Sequence, residues 1–172
     1  MSDPCNSLVD SARVLPRAGI ALDVACGHGR NAIWLAEHGL RTIGVDRDES
    51  AVAWVNQEAT RRVLPLWAQV VDLESGPPFI EPDSFDLVVV VHYLHRPLFP
   101  SLVAALRPGG MLVYETFTRT QAARGKPTNP AFLLEPGELA ELVRPLDVLA
   151  SREGQFDERM VASVVARRPR AH

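Results

Sequence analysis

An alternation of short apolar runs with helically spaced stretches, from about residue 20 onward, constrains the fold of this chain more than any other feature. The apolar runs are IALDVAC, RTIGVD, LWAQVVDL, FDLVVVVH and MLVYETF. Between some of them lie RNAIWLAEHG, ESAVAWVNQEATRR and LFPSLVAALRPGG, which repeat apolar residues at the spacing of an amphipathic helix. The valines at 88–91 do not alternate with polar residues, as expected for a strand that helices cover on both faces. Repeated strand–helix units predict right-handed crossovers and a parallel sheet.

The C-terminal part follows a different pattern. After a short helical stretch, PGELAELV, the runs DVLASRE and VASVVARR flank the connection GQFDER and predict an antiparallel hairpin. The predicted fold is therefore α/β: a doubly wound, mostly parallel, seven-stranded sheet with helices on both faces and a C-terminal antiparallel hairpin. A length of 172 residues suits a single domain over 1–172, with a helical N-terminal segment at 1–18.

Charge and cysteine content narrow the environment of the chain. A net charge of -3 gives no overall basic field that would attract nucleic acid. The C-terminal ARRPRAH favours a frayed, solvated tail, and RNA contact by its arginines (Arg167, Arg168, Arg170) is the alternative. Cys5 and Cys26 make no disulfide framework, the start of the chain has no signal-peptide pattern, and LVVVVHYL is too short to span a bilayer. We expect a cytoplasmic protein with no membrane partner.

The turn LDVACGHGRNA follows the first predicted strand and opens the first predicted helix. Gly27 and Gly29 remove side chains where the backbone would approach a ligand, at the sheet edge where doubly wound folds bind their ligands. The following helix directs free amides to the same place. By itself the turn leaves other interpretations open. Its spacing also satisfies the G-x-G-x-x-A dinucleotide fingerprint, and a tight turn without a ligand remains possible.

Three aspartates at successive predicted strand ends favour one ligand over the others. Asp46 lies about twenty residues after the glycines, where a carboxylate can accept both hydroxyls of a ribose. Asp72 can accept from an adenine amino group, beside the backbone amide of Leu73. Asp23 lies inside the first strand, a costly place for a charge without a partner. A cationic amino group on the ligand would satisfy Asp23, whereas a pyrophosphate would not.

The run DVACGHGRN…GVDRDESAV…VVDLE…FDLVVVVHYLH…LRPGGMLVYETF resembles the class I S-adenosylmethionine-dependent methyltransferases. The resemblance extends from about residue 20 to the final hairpin, and CGHGRN followed by LAEHG is particularly similar to the small tellurite- and thiopurine-type methyltransferases. The chain departs from the commonest form of the first motif at Cys26 and His28, and both changes leave the two glycines in place. The resemblance implies a Rossmann-like methyltransferase fold and S-adenosylmethionine as cofactor.

The resemblance also implies roles by position. The glycine turn with Asp23 would surround the methionine part, Asp46 would hold the ribose, Arg47 would flank the adenine, and Asp72 would contact the adenine edge. Val91 would contribute backbone contacts near the sulfonium. The expected cofactor-binding residues are Asp23, Gly27, His28, Gly29, Asn31, Asp46, Arg47, Asp72, Leu73 and Val91.

Acceptor contacts are expected at the ends of the fourth and fifth strands. The fourth strand ends in HYLHRPLF, which gives His92, Tyr93 and His95 as candidate catalytic residues. The alternative is that His95 and Arg96 cap the next helix or pair with a neighbour. His92-x-x-His95 lacks further ligands at sensible spacing, so no metal site is predicted.

A stretch of about twenty residues at 118–136 shows no clear strand, which is typical of a functional loop or of a disordered connection. Its basic and hydrogen-bonding residues favour a lid over an acidic or polar acceptor: Arg119, Arg124, Lys126 and Asn129.

The predicted function is methyl transfer from S-adenosylmethionine, by in-line displacement, to a small-molecule acceptor, because the chain has little room for a separate substrate domain. A general base is needed only if the nucleophile is protonated. The alternatives are a cofactor-binding pseudoenzyme or regulatory module, an RNA methyltransferase, and a nicotinamide-dependent oxidoreductase. Asp23 and Asp72 count against the last of these. A monomer and a homodimer are both compatible with the sequence.

Overall fold

The computed structural model describes residues 3–75 and 80–170, so the first two residues of the predicted N-terminal segment lie outside the described residues. The described strands are β1 (Ile20–Val24), β2 (Arg41–Asp46), β3 (Leu66–Val70), β4 (Phe85–Val91), β5 (Leu106–Phe117), β6 (Asp147–Phe156) and β7 (Arg159–Arg167). The α-helices are α1 (Asn6–Asp10), α2 (Arg30–Glu37), α3 (Glu49–Arg62), α4 (Phe99–Ala105) and α5 (Glu138–Leu142).

The seven strands form one sheet in the order β3-β2-β1-β4-β5-β7-β6. The pairs among β1 to β5 are parallel, and β7 pairs antiparallel with both β5 and β6. The strand order reverses between β1 and β4, so their carboxyl ends lie side by side at the switch point where doubly wound sheets bind ligands. The predicted α/β fold with its C-terminal antiparallel hairpin is confirmed.

The valines of β4 form a continuous apolar run because both faces of this strand are buried. Val88 and Val90 belong to a core with Phe99 and Leu102 of α4, on one face of the sheet. Val89 and Val91 belong to a second core on the opposite face, with Leu35 of α2. Helices therefore cover both faces, which is the arrangement that the unbroken valine run predicts.

The predicted helix LFPSLVAALRPGG is wrong at both ends. A 3₁₀ turn at Arg96–Leu98 precedes α4, which ends at Ala105, and β5 already begins at Leu106. Pro108 explains the early end, because a proline disfavours the helical conformation in the residue before it.

The predicted frayed tail is corrected for Arg167, which lies in β7, and for Arg168; its last two residues, 171–172, lie outside the described residues. The Arg168 amide donates to the Gly110 carbonyl, and its own carbonyl accepts from the Gly109 amide. The Arg168 guanidinium pairs with Asp83. The hairpin itself is longer than predicted, with only residues 157–158 between β6 and β7.

Candidate active site at the carboxyl edge of the sheet

Three cavities meet at His92, beyond the carboxyl ends of the parallel strands. The edge cavity, of about 340 Å³, is lined by residues that include Asp46, Arg47, Asp72, Leu73 and Tyr93. The central cavity, of about 500 Å³, is lined by residues that include Gly27, His28, Arg30, Asn31, Trp54 and Val91. The loop cavity, of about 490 Å³, is lined by residues that include Thr116, Phe117, Lys126, Asn129 and Phe132. His92 lines all three.

β1 and β4 leave the sheet by the same kind of sharp turn. Ala25 follows β1 with φ 55° and His92 follows β4 with φ 57°, a left-handed conformation that is unfavourable for residues other than glycine. Such conformations cost of order 1–3 kcal/mol and concentrate at functional sites. The predicted strands IALDVAC and FDLVVVVH therefore end at Val24 and Val91, slightly earlier than expected.

The two glycines of the turn serve different purposes. A Cβ placed on Gly27 would meet nothing within 4 Å, so the space beside this residue is open. A Cβ on Gly29 would lie 2.7 Å from a methyl carbon of Val55, so this position allows α2 to approach α3. Both have positive φ, 51° at Gly27 and 72° at Gly29. Gly27 is therefore the glycine that leaves room for a ligand.

The two departures from the usual motif are accommodated locally. Cys26 is buried over Gly44 of β2, where a Cβ would lie 2.9 Å from the Cys26 Sγ. His28 is exposed and meets Trp54 edge-on, with the ring centroids 5.8 Å apart. Neither side chain closes the space beside Gly27.

Asp23 is buried in β1, with 1% of its surface exposed, and accepts from the backbone amide of Ala32 in α2, next to Asn31 of the central cavity. Within residues 3–75 and 80–170, its Oδ2 has no hydrogen-bond partner. Burial raises the pKa of Asp23 to about 7, against the opposing effects of the Ala32 amide and the Arg30 charge. A buried carboxylate in this state is stabilised by any cationic group that reaches it.

Asp46 ends β2, Asp72 lies two residues after β3, and backbone amides hold both carboxylates. Asp46 accepts from the amides of Gly27, at 2.7 Å, and Asp48, at 3.0 Å. Asp72 accepts from the Glu74 amide, at 3.0 Å, and the Ser75 hydroxyl, at 2.7 Å. The Glu74 amide is the main cause that lowers the pKa of Asp72. This turn shortens the predicted strand LWAQVVDL to Leu66–Val70, and the carboxylate oxygens keep lone pairs for a ligand.

His92 is fixed on several sides. Its ring stacks on Phe117 with the centroids 4.6 Å apart. Nδ1 lies 3.5 Å from a guanidinium nitrogen of Arg30, and Nε2 lies 3.8 Å from the Glu115 carboxylate. Burial, then the charges of Arg30 and Arg159, lower the pKa of His92 to about 4. The imidazole is therefore neutral at pH 7.

Tyr93 and His95 are placed less favourably for catalysis. Burial and the nearby Glu74 raise the pKa of Tyr93 to about 12, which keeps its hydroxyl protonated at neutral pH. The Tyr93 carbonyl accepts from the Tyr114 hydroxyl at 2.7 Å. His95 is not among the residues that line the three cavities, and its carbonyl accepts from the Leu98 amide at the 3₁₀ turn. The structure thus brings His92 and Tyr93 to the cavities, and leaves His95 outside them.

The 118–136 loop is tied to the fold at several points. It contains 3₁₀ turns at Arg119–Ala123 and Pro130–Phe132. Buried Gln121 accepts from the Met160 amide at 2.8 Å, and Arg96 forms an ion pair with Glu138 just beyond the loop. Of the four residues predicted to face the acceptor, all of which are exposed, Lys126 and Asn129 line the loop cavity, whereas Arg119 and Arg124 do not, and Arg119 pairs with Glu135.

A methyltransferase domain family model matches residues 21–110, which contain the glycine turn and all three aspartates. This chain belongs to the methyltransferase domain family. The chain is 34% identical over 93 residues to hemagglutinin 1 of Eikenella corrodens, covering 52% of this chain and 31% of that one. It is 25% identical over 100 residues to the probable S-adenosyl-L-methionine-dependent methyltransferase TehB of Haemophilus influenzae, covering 58% and 35%. The methyltransferase domain thus spans about a third of the length of these curated relatives.

The crystal structure of TehB from Haemophilus influenzae superimposes on this chain with a TM-score of 0.79 and 20% identity, covering 98% of this chain and 63% of that one. At this identity the likeness shows a shared fold. The resemblance predicted from the sequence is confirmed for the family, for the fold and for S-adenosylmethionine as the cofactor class of the family.

The chain also contains cavity residues that were not predicted from the sequence. Arg30 and Trp54 line the central cavity, and Phe132 lines both the edge and loop cavities. Arg30 directly follows Gly29 in the motif, so its position in the sequence could have identified it as a cavity residue. Trp54 and Phe132 reach the site only through the packing of α3 and of the loop, for which no short-range pattern exists.

In the part of the chain that the structure describes, residues 3–75 and 80–170, no helix is both long and apolar enough to cross a membrane. The same residues contain no group of three or more histidine, cysteine or acidic side chains arranged around a common metal position.

Proposed function

We propose that this methyltransferase domain transfers a methyl group from S-adenosylmethionine to a small molecule. The observation that carries the proposal is the buried Oδ2 of Asp23, which has no partner among the described residues and lies behind the glycine turn. A ligand ammonium group would stabilise this carboxylate, directly or through a water. A pyrophosphate would instead add negative charge beside it.

The remaining cofactor contacts follow the two neighbouring cavities. We assign the methionine part to the central cavity, beside Gly27 and Val91, with His28 at the rim and Gly29 behind the turn. Asn31 accepts from the Cys5 amide through Oδ1, at 2.9 Å, so its Nδ2 is the atom that would donate to the cofactor.

We assign the adenosine to the edge cavity. Asp46 would accept from the ribose hydroxyls and Asp72 from the adenine amino group, in addition to the amides that they already bind. The Leu73 amide would donate to the ring, and the Arg47 side chain would flank it.

When bound, S-adenosylmethionine supplies an electrophilic methyl group, whose bonding electrons return to sulfur as an acceptor lone pair attacks the carbon in line. The protein's task is to align the acceptor and exclude water. Val91 and His92, at the switch point, border the space where the methyl group would emerge. His92 is neutral at pH 7 and would take a proton from an acceptor that carries one on its nucleophilic atom.

The loop cavity supports the proposal of a small-molecule acceptor. Its volume of about 490 Å³ suits a small molecule, and Lys126 and Asn129 favour an acidic or polar one. Arg168 in the basic C-terminal segment is already paired with Asp83, which argues against a nucleic-acid acceptor.

We further propose a single domain over 1–172 that works in the cytoplasm as a monomer or a homodimer. Cys5 and Cys26 are both buried and unpaired with each other, which fits a reducing compartment.

Calorimetric titration with S-adenosylmethionine, S-adenosylhomocysteine and NADH tests the proposal. We expect micromolar binding of the two adenosyl ligands, weakened at least about 100-fold in Asp46→Ala because charged hydrogen bonds to the ribose are lost. Asp48→Ala is the matched control, since Asp48 caps α3 and accepts from the Ser50 amide rather than from the turn. NADH binding without binding of either adenosyl ligand would contradict the proposal. Release of S-adenosylhomocysteine in the presence of small thiols, alcohols, amines and acids then identifies the acceptor, whereas binding without turnover favours a regulatory module.

A further inference from the structure

Glu115 and His92 occupy neighbouring positions at the ends of β5 and β4. Val91 is the register partner of Glu115, and the His92 amide donates to the Glu115 carbonyl at 2.8 Å. This backbone contact holds His92 in its left-handed conformation and brings the ring beside the Glu115 side chain. The Glu115 Oε1 lies 3.8 Å from Nε2, slightly beyond hydrogen-bonding distance.

The Glu115 carboxylate is held in place from other directions. It is 7% exposed and accepts from the Cys5 thiol at 3.1 Å and from the Ser7 hydroxyl. Arg152 of β6 lies 3.4 Å from its Oε2. Because these three groups donate to it, the carboxylate is fixed as a hydrogen-bond acceptor facing the His92 ring.

Nδ1, the other ring nitrogen of His92, faces a hydrogen-bond donor. The Arg30 guanidinium, which can only donate, lies 3.5 Å from Nδ1. An acceptor on the Nε2 side and a donor on the Nδ1 side select the same neutral tautomer, with the proton on Nε2 and the lone pair on Nδ1. Nε2 itself is buried and has no hydrogen-bond partner within residues 3–75 and 80–170. The contact with Arg30 is at the limit of hydrogen-bonding distance, so the Nδ1 lone pair accepts only a weak hydrogen bond.

We propose that Glu115 is a positioning residue that keeps the proton of His92 on Nε2 and directs the Nδ1 lone pair toward the central cavity as the general base. This inference rests on the proposed methyl transfer and specifies its acceptor class: a nucleophile that carries a proton at neutral pH, such as an alcohol, thiol or ammonium. As the acceptor atom bonds to the methyl carbon, its proton passes to Nδ1. The resulting imidazolium then has its Nε2–H directed at the Glu115 carboxylate, which compensates the new charge.

Three charged groups act on the ring, and each belongs to a different element. Arg30 of α2 and Arg159 of β7 lower the pKa of His92, whereas Glu115 of β5 raises it. Removal of the Glu115 charge must therefore lower the pKa of His92 further. A role for Glu115 in packing alone would not predict a change of tautomer together with this shift.

The test is long-range ¹H–¹⁵N NMR of the histidine rings in the full chain, with the His92 signals assigned from His92→Gln. In the wild type we expect the Nε2–H tautomer. Glu115→Gln keeps an acceptor oxygen and removes the charge, so the tautomer should persist while the titration midpoint moves to lower pH. Glu115→Met removes both and leaves only the long contact with Arg30 to favour the Nε2–H tautomer, so the Nδ1–H tautomer should become detectable. Ser7→Ala is the matched control, because it removes another partner of Glu115 without touching the ring.

An Nδ1–H tautomer in the wild type would overturn the proposal, as would an unchanged tautomer and midpoint in both Glu115 variants. An equal change in Ser7→Ala would assign the effect to general loosening and would also overturn it. The readout needs neither cofactor nor acceptor. Calorimetry with S-adenosylhomocysteine on the same samples therefore reports separately on the proposed function.

Discussion

The two halves of the candidate site are built in opposite ways. In the cofactor half, at the ends of β1 to β3, backbone amides hold the carboxylates over shorter separations: Asp46 binds the amide of Asp48, two residues on, and that of Gly27, 19 residues back, and Asp72 binds the amide of Glu74, two residues on. In the acceptor half, at the ends of β4 and β5, polar groups are joined over long sequence separations. Ser7 and Arg152 are 145 residues apart, and Arg96 and Glu138 are 42 apart.

This difference predicts that the two halves of the site control different properties of the protein. The cofactor half consists of turns that follow their strands directly, so its geometry is set once the sheet forms. The acceptor half depends on the N-terminal segment, the loop and the final hairpin reaching the same place. Changes in the cofactor half should therefore affect cofactor affinity, whereas changes in the acceptor half should affect stability and leave cofactor affinity intact.

The largest expected effect concerns Asp23. Asp23→Asn should weaken S-adenosylmethionine binding by about 100-fold at pH 8, because a charged partner of the ligand ammonium is lost in a buried site. In the wild type, affinity should fall by up to about tenfold per pH unit below about 7, as the raised pKa of Asp23 lets it protonate. Calorimetry across pH 5 to 8 checks both. A pH-independent wild-type affinity would contradict the role given to Asp23.

The same carboxyl predicts a stability effect without ligand. A raised pKa means that the folded state binds the proton more tightly than the unfolded state does, so the free energy of unfolding should decrease as pH rises from about 4 to about 7. Asp23→Asn should remove this contribution and unfold at a higher temperature than the wild type at pH 8. Thermal unfolding at pH 6 and pH 8 measures it, and equal pH dependence of the two proteins would refute it.

A smaller effect should distinguish the two glycines. Gly29→Ala should lower the free energy of unfolding by about 2 kcal/mol, since its Cβ would lie 2.7 Å from Val55. Gly27→Ala meets no atom, so it should cost about 1 kcal/mol for its left-handed backbone and mainly reduce cofactor affinity. Urea unfolding of both variants tests the order. A larger loss of stability in Gly27→Ala would reverse the assignment.

A comparable loss of stability is expected from the acceptor half, without a loss of binding. Arg96 binds the half-buried Glu138 through two nitrogens and donates to the carbonyls of Ala131 and Leu133. Arg96→Gln should lower the free energy of unfolding by about 1–3 kcal/mol, leaving cofactor affinity within about twofold of the wild type. Arg144→Gln breaks the exposed pair with Glu141 and is the control, with an expected change of at most about 0.5 kcal/mol. A large loss of cofactor affinity in Arg96→Gln would contradict the prediction that changes in the acceptor half leave cofactor affinity intact.

The smallest effect is expected at the rim. His28 is exposed and contacts Trp54 edge-on, so His28→Ala should change cofactor affinity by about twofold or less. Calorimetry compares it with the wild type, and a tenfold loss would place His28 in the binding site itself.

The candidate cofactor half could be located from the sequence because its signals are local. The glycines, Asp23, Asp46 and Asp72 each follow or lie within a strand that the apolar pattern identifies, and parallel strands bring their carboxyl ends to one edge. The end of β3 was the main local error, since the side chain of Asp72 turns the chain two residues after Val70.

The acceptor half was predicted less completely for the converse reason. His92 was found from its place after a strand, but its partner Glu115 lies 23 positions further along the chain, and Cys5 and Ser7 approach it from 110 and 108 residues away. His95 was predicted on proximity in sequence alone, and it is not among the residues that line the three cavities. Patterns within a short window carry no information on such contacts.

A crystal structure of the chain with S-adenosylhomocysteine would show where the cofactor binds. We expect the adenosine in the edge cavity, with the ribose on Asp46, and the ligand amino group within hydrogen-bonding distance of Asp23 or of a water bound to it. Adenosine bound elsewhere, or a ligand amino group that makes no contact with Asp23 directly or through a water, would contradict the proposed cofactor site.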